Sequence, residues 1–180
     1  MGIYVNMTDV KTGVNPLFLR EEDLRQGIEL LFYAYRDFTS EPDAILAEYR
    51  FGRAHHRVIH FVGRNAGITV SELLAILKIT KQSLSRVLSQ LVREEFIVQK
   101  TGPRDRRQRL LELTPKGIEI ELQLSASQRA RVAAAYREAG AEAVEGYRKV
   151  LMGMINAEDR RKFGGSGGAM APATDDIDDR

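Results

Sequence analysis

The residues with the most chemistry to offer fall into three groups. One is the run Lys100 to Arg109, where Lys100, Arg104, Arg106, Arg107 and Arg109 stand against a single acid, Asp105. Cations crowded on a short turn repel one another and do nothing for its folding; an anionic partner removes that cost. The second group is Thr80, Lys81, Gln82, Ser83, Ser85 and Arg86. Their hydroxyl, amide and guanidinium groups match the donors and acceptors of base edges in a major groove: Gln82 with adenine, Arg86 with guanine or with a phosphate. The third group is His55, His56 and His60. His56 and His60 have the spacing of helical metal ligands, and the run between them echoes a zinc-protease pattern, but Arg57 stands where that pattern needs its general-base glutamate. Two imidazoles alone do not complete a metal site, so no metal and no cofactor is expected. Helix packing or the wall of a small-molecule pocket is the reading the histidines support. With no Ser-His-Asp set, phosphate-cradling glycine loop or carboxylate pair, no catalytic residue and no enzyme is expected.

Periodicity supplies the elements that position these groups. Leu24, Ile28, Leu31, Tyr35 and Phe38 recur at spacings of three and four, which predicts a helix over about 20–38. Ser40-Glu41-Pro42 reads as an interruption, with Pro42 in the first turn of a second helix at about 42–63 that carries the histidines. Thr69-Val70-Ser71-Glu72 is a capping box before a short helix with Val70, Leu73, Leu74 and Leu77 on its apolar side. Lys78-Ile79 is a tight connection, and Thr80 caps a further helix. That helix buries Leu84, Val87, Leu88 and Leu91 and turns Gln82, Ser85, Arg86, Ser89 and Arg93 outward. Two strands follow, Phe96 to Lys100 and Arg109 to Leu113, joined by an arginine-rich tip. Thr114-Pro115 opens a helix over about 115–138, and Gly140 separates it from a last one over about 141–162.

Residues 1–19 read as an arm and 163–180, glycine-rich and then acidic, as a flexible tail. The 180 residues are 43% hydrophobic and 29% charged, ordinary for a soluble globular chain. The absence of cysteine excludes disulfides, thiolate zinc sites and thiol redox sensing. No apolar run approaches the roughly 18 residues of a membrane span, and the N-terminus lacks the pattern of a signal peptide; a cytoplasmic protein with no membrane contact is expected. The fold class is mainly α with a small β-hairpin wing: a winged helix-turn-helix DNA-binding lobe at about 64–114 and a helical dimerisation lobe, together spanning 20–162.

Gly102-Pro103-Arg104-Asp105-Arg106-Arg107 followed by Leu113-Thr114-Pro115-Lys116-Gly117 resembles the wing signature of the MarR family, and the helix pair Thr69 to Glu95 is similar to that family's. Phe51-Gly52-Arg53-Ala54-His55-His56-Arg57 and Lys81-Gln82-Ser83 point to one branch of it. The resemblance implies a homodimer built from helices at both chain ends. It implies that Arg107 is the wing-tip residue for the minor groove, with Asp105 orienting the wing. It also implies a small aromatic or anionic effector bound between the two lobes, for which Tyr35, Arg53, His55 and His56 are the candidates. The expected function is regulation of transcription by sequence-specific binding of double-stranded DNA at an inverted-repeat operator. The alternative is a helical dimer whose basic wing docks on an acidic protein, and salt dependence and sequence preference on duplex DNA separate the two.

Overall fold

The computed structural model describes residues 19–103 and 107–163. Helix α1 (Glu21–Glu48) starts with Glu21, Glu22 and Asp23, carboxylates suited to the positive end of the helix dipole. It does not stop at Ser40-Glu41-Pro42 but runs through Pro42, so the expected second helix at 42–63 is corrected: helix α2 is Arg53–Arg64. Pro42 has no N–H for the carbonyl of Phe38, which an interior helical residue would serve. Gln128 supplies the missing donor, its side-chain amide lying 3.4 Å from Phe38 O. The hydroxyls of Thr39 and Ser40 fold back onto the carbonyls of Tyr35, Arg36 and Asp37. The helix survives its proline because a distant residue satisfies the orphaned acceptor.

Two helices end in the same way. At the end of α1, Arg50 takes a left-handed φ of 56°, its N–H bonds Ala47 O, and the N–H of Phe51 bonds Leu46 O. At the end of helix α4 (Lys81–Arg93), Glu95 takes φ 63°, bonding Val92 O, while the N–H of Phe96 bonds Leu91 O. Both are Schellman turns, and in both the next residue is a buried phenylalanine. Phe51 and Phe96 meet edge-to-face at 5.2 Å, and Tyr49 contacts both rings.

Strand β1 (Ile68–Thr69), helix α3 (Val70–Leu77) and α4 lead into strands β2 (Ile97–Thr101) and β3 (Arg109–Leu113). The sheet order is β1-β3-β2, antiparallel throughout, with Ile97 opposite Leu113, Thr101 opposite Arg109 and Ile68 opposite Leu111. Leu46, Val58, Ile59, Val62, Leu73, Leu84, Leu91, Phe96, Ile97, Leu111, Ile120 and Leu124 form a continuous core.

Helix α5 (Pro115–Met154) is broken at Gly140, whose φ of 81° and ψ of 166° are not helical. The stretch expected to stay helical to 162 ends at Met154, followed by helix α6 (Ala157–Arg160) and a 3-10 turn, Arg161–Phe163. Arg160 ends it by donating to the carbonyls of Gly153 and Ile155 at 2.8 and 2.7 Å, a cation on the negative end of the helix. Contacts divide the chain into two units, one ending at Arg131 and the other beginning at Val132.

Candidate nucleic-acid interface

The reading helix is set by two caps and a tight turn. Glu72 N–H donates to Thr69 Oγ1 at 3.2 Å. The backbone N–H and the hydroxyl of Thr69 donate to the Glu72 carboxylate at 2.8 and 2.7 Å and hold it below the usual carboxylate range. Lys78 turns the chain out of α3 in a left-handed conformation, φ 49°. Thr80 then caps α4, accepting from Ser83 N–H at 3.1 Å and donating to Ser83 Oγ at 2.8 Å. With Leu84, Val87, Leu88 and Leu91 buried on one side, Lys81, Gln82, Ser83, Ser85 and Arg86 are exposed on the other. Thr80 and Ser83, singled out as base-reading residues, thus have hydroxyls already engaged in the cap. Gln82, Ser85 and Arg86 carry the open chemistry of this face.

The far end of α4 is clamped to the start of α5. Thr114 Oγ1 donates to Glu95 O at 2.6 Å and accepts from Gly117 N–H at 3.1 Å, while Thr114 N–H bonds Phe96 O at 3.1 Å. Lys116 Nζ bonds Glu94 O at 3.0 Å and sits 4.2 Å from the centre of the Phe96 ring. The run Thr114-Pro115-Lys116-Gly117 is therefore a clasp: it caps one helix with the groups that satisfy the end of another.

In the wing, Lys100 and Glu112 pair across β2 and β3 at 2.6 Å, so Lys100 is committed to holding the hairpin. Arg107 is exposed where the tip returns to β3. Arg104, Asp105 and Arg106 lie outside the described residues, and so does any role for them in orienting or extending the wing. Arg107, Gln108 and Arg109 line one side of a cleft of about 260 Å³, and Thr69, Val70 and Ser71 line the other. The pairing of β1 with β3 builds this cleft. Two residues carry no readable periodicity, so β1, and with it the place of Ser71 and Gln108 in the cleft wall, has no signal in the sequence beyond the capping box.

Of the four residues expected to line an effector pocket, Arg53 and Tyr35 lie together, while His55 is engaged elsewhere. Arg53 Nε and Nη2 lie 2.9 and 2.8 Å from Asp43 Oδ2, and its guanidinium is 5.5 Å from the centre of the Tyr35 ring. His55 instead stacks on Phe51 at 4.6 Å and bonds Gln90 of α4. His56 is half-buried. Its neighbour His60 lies 3.5 Å from Glu121 Oε1. Among the described residues no cluster of three or more histidine or acidic side chains is placed to hold a metal ion.

Burial pushes the His56 pKa below its ordinary 6.5, and His60 adds to the shift while Asp43 and Glu121 oppose it. The folded chain therefore binds this proton less tightly than the unfolded chain. The stabilising contribution is complete above about 6.5 and drains away as pH falls through that value towards the lowered one. Urea titrations are expected to show stability falling between about pH 7.5 and 5.5, with His56→Gln flattening part of the fall. An unchanged slope in the variant would exclude His56 as the source.

A helix pair read out on its second member, followed at once by a hairpin, defines the winged helix-turn-helix class of regulator. A family model described as the MarR family matches residues 51–108, from the turn before α2 to the wing. The chain is 49% identical over 156 residues to the HTH-type transcriptional regulator PetP of Rhodobacter capsulatus, covering 87% of this chain and 94% of that one. It is similar in fold to FabT of Streptococcus pneumoniae, solved in complex with DNA, with a TM-score of 0.65, 22% identity, and 73% and 94% of the two chains covered. A crystal structure of MarR matches with a TM-score of 0.58 at 22% identity, covering 82% and 97%. The chain belongs to the MarR family of transcriptional regulators, whose members are not enzymes. No helix among the described residues is long and apolar enough to cross a membrane.

Proposed function

We propose that this regulator acts in the cytoplasm as a homodimer that binds an inverted-repeat operator in duplex DNA, under the control of a small aromatic or anionic effector. The observation that carries the reading is the α4 surface: Gln82, Ser85 and Arg86 exposed on a helix whose other side is anchored by four buried apolar residues. Such a helix enters a major groove without losing its footing. The cleft lined by Arg107, Arg109 and the first residues of α3 suits a backbone phosphate, because guanidinium groups favour an anion. FabT, a structural relative, was solved in complex with DNA.

The dimer is supported by what α1 leaves in water. Its first turns carry Leu24, Ile28, Leu31 and Phe32, with Ile28 70% and Phe32 66% exposed. Beyond Val132, Tyr147, Val150 and Met154 are likewise exposed. Apolar stripes of this extent call for a second copy, and two-fold symmetry then matches half-sites about 34 Å apart. For the effector, Arg53 with Tyr35 offers a cation beside an aromatic face.

Selection of bound duplexes from a random pool tests the reading. Enrichment of an inverted repeat is expected; recovery of no preferred sequence would favour the acidic-protein alternative. On the selected site, Gln82→Ala is expected to relax discrimination at one position per half-site, by about 1–3 kcal/mol for a bidentate contact. Arg107→Ala should weaken all duplexes alike. Equal loss on every duplex from both variants would show that Gln82 is not the reader.

A further inference from the structure

The first turn of α2 is tied on two sides. Arg53 holds Asp43 of α1. His55 reaches α4: its Nε2 is 3.0 Å from Gln90 Oε1, while its Nδ1 accepts the N–H of Gly52 at 3.1 Å. With Nδ1 accepting, Nε2 is the ring nitrogen left to donate to Gln90 Oε1. Gln90 passes the chain on, its amide donating to Glu94 Oε1 at 3.1 Å, at the residue where α4 gives way to its Schellman turn. The imidazole is held in this attitude by Phe51, the two rings 4.6 Å apart and 3° from parallel.

We propose that His55 is a positioning residue for the DNA-reading helix: through Gln90 it fixes the roll of α4, and with it the aim of Gln82 and Arg86. The inference rests on the DNA-binding reading above. Among the described residues α4 is also held to its neighbours in two other ways. Leu84, Val87, Leu88 and Leu91 hold it down by burial, which turns one side of the helix inward but tolerates a small roll. The clasp at Glu94, Glu95 and Phe96 holds one end. The buried face sets the coarse rotation of the helix, and the directional hydrogen bond at Gln90, in its last turn, refines it. Gln82 is eight residues from Gln90, about 12 Å along the axis at 1.5 Å per residue, so a small roll or tilt at Gln90 reappears as a misplacement at the base edge.

Two variants cut the link in different places. His55→Asn keeps an acceptor near the Nδ1 position for Gly52 N–H but does not reach Gln90. Gln90→Met keeps the length of the side chain and removes the acceptor. The probes are the duplex that the wild-type dimer selects and an unrelated duplex of equal length. Each variant is expected to lower the ratio of the two affinities about five- to tenfold, the scale of one hydrogen bond, with the salt dependence unchanged and the protein still folded at the temperature of the assay. The double variant should lose no more than either single one. In the free wild-type protein, imidazole nitrogen chemical shifts should report the Nε2–H tautomer at His55, and Gln90→Met should move that signal. An unchanged ratio in either variant, additive losses in the double variant, or an Nδ1–H tautomer would each overturn the proposal. A wild-type protein that selects no duplex would instead defeat the DNA-binding reading, while the tautomer measurement would still decide whether the link between α2 and α4 exists.

Discussion

Gly117→Ala is expected to destabilise the protein by about 3 kcal/mol or more, the largest effect of a glycine-to-alanine change among the described residues. A β-carbon at this position would sit 2.0 Å from the carbonyl oxygen of Phe96 and 3.1 Å from its carbonyl carbon. Both atoms are backbone, and that oxygen already accepts the N–H of Thr114, so neither can step aside without opening the clasp between α4 and α5. Relief would have to come from moving α5, which carries the buried Ile120 and Leu124, or from tearing the turn that places Phe96 in the core. Urea unfolding at a fixed protein concentration measures the loss, since dimerisation would otherwise shift the apparent stability. A variant within 1 kcal/mol of the parent would mean that the two segments are less tightly opposed than the structure has them.

DNA affinity is expected to collapse with salt. Lys81, Arg86 and Arg107 are exposed on α4 and the wing, and the proposed dimer would bring about six such cations to the phosphates. Each released counterion contributes about −0.9 to the slope of log affinity against log salt, so the slope should be near −5 and affinity should fall about a thousandfold between 50 and 200 mM. Arg107→Ala should reduce the slope by about two, one contact per protomer, and Gln82→Ala should leave it unaltered. Fluorescence anisotropy on the selected duplex across that range is the measurement. A slope near zero would be incompatible with a phosphate-tracking surface.

Much of this site is legible in the sequence because it is built from local rules. The caps at Thr69 and Thr80 and the two faces of α4 follow from spacing alone, since helix periodicity puts Leu84, Val87, Leu88 and Leu91 on one side and Gln82, Ser85 and Arg86 on the other. What escaped depends on residues far apart in the chain. Pro42 reads as a boundary, and the reason it is not one is Gln128, more than eighty positions away. Tyr35, Arg53, His55 and His56 look like one group on paper; Arg53 does lie against Asp43 and Tyr35 of α1, whereas Gln90 and Phe51 draw His55 towards α4. The sequence shows which polar groups are present; tertiary packing decides which neighbour claims each of them. Two-residue strands such as β1 carry too few positions for any period to register.

The aromatic meeting point at the ends of α1 and α4 gives the protein an internal optical reporter. The chain has no tryptophan, so its near-ultraviolet signal comes from tyrosine and phenylalanine. Among the described tyrosines, Tyr49 is the one set against two phenylalanine rings, at 5.8 Å from Phe51 and 5.5 Å from Phe96. Fixed, asymmetric ring packing of this kind gives near-ultraviolet circular dichroism, which vanishes when side chains lose their places even if helices persist. Loosening of the joint between α1, α4 and α5 would therefore be visible without any label: the near-ultraviolet band would fade while the helical far-ultraviolet band stayed.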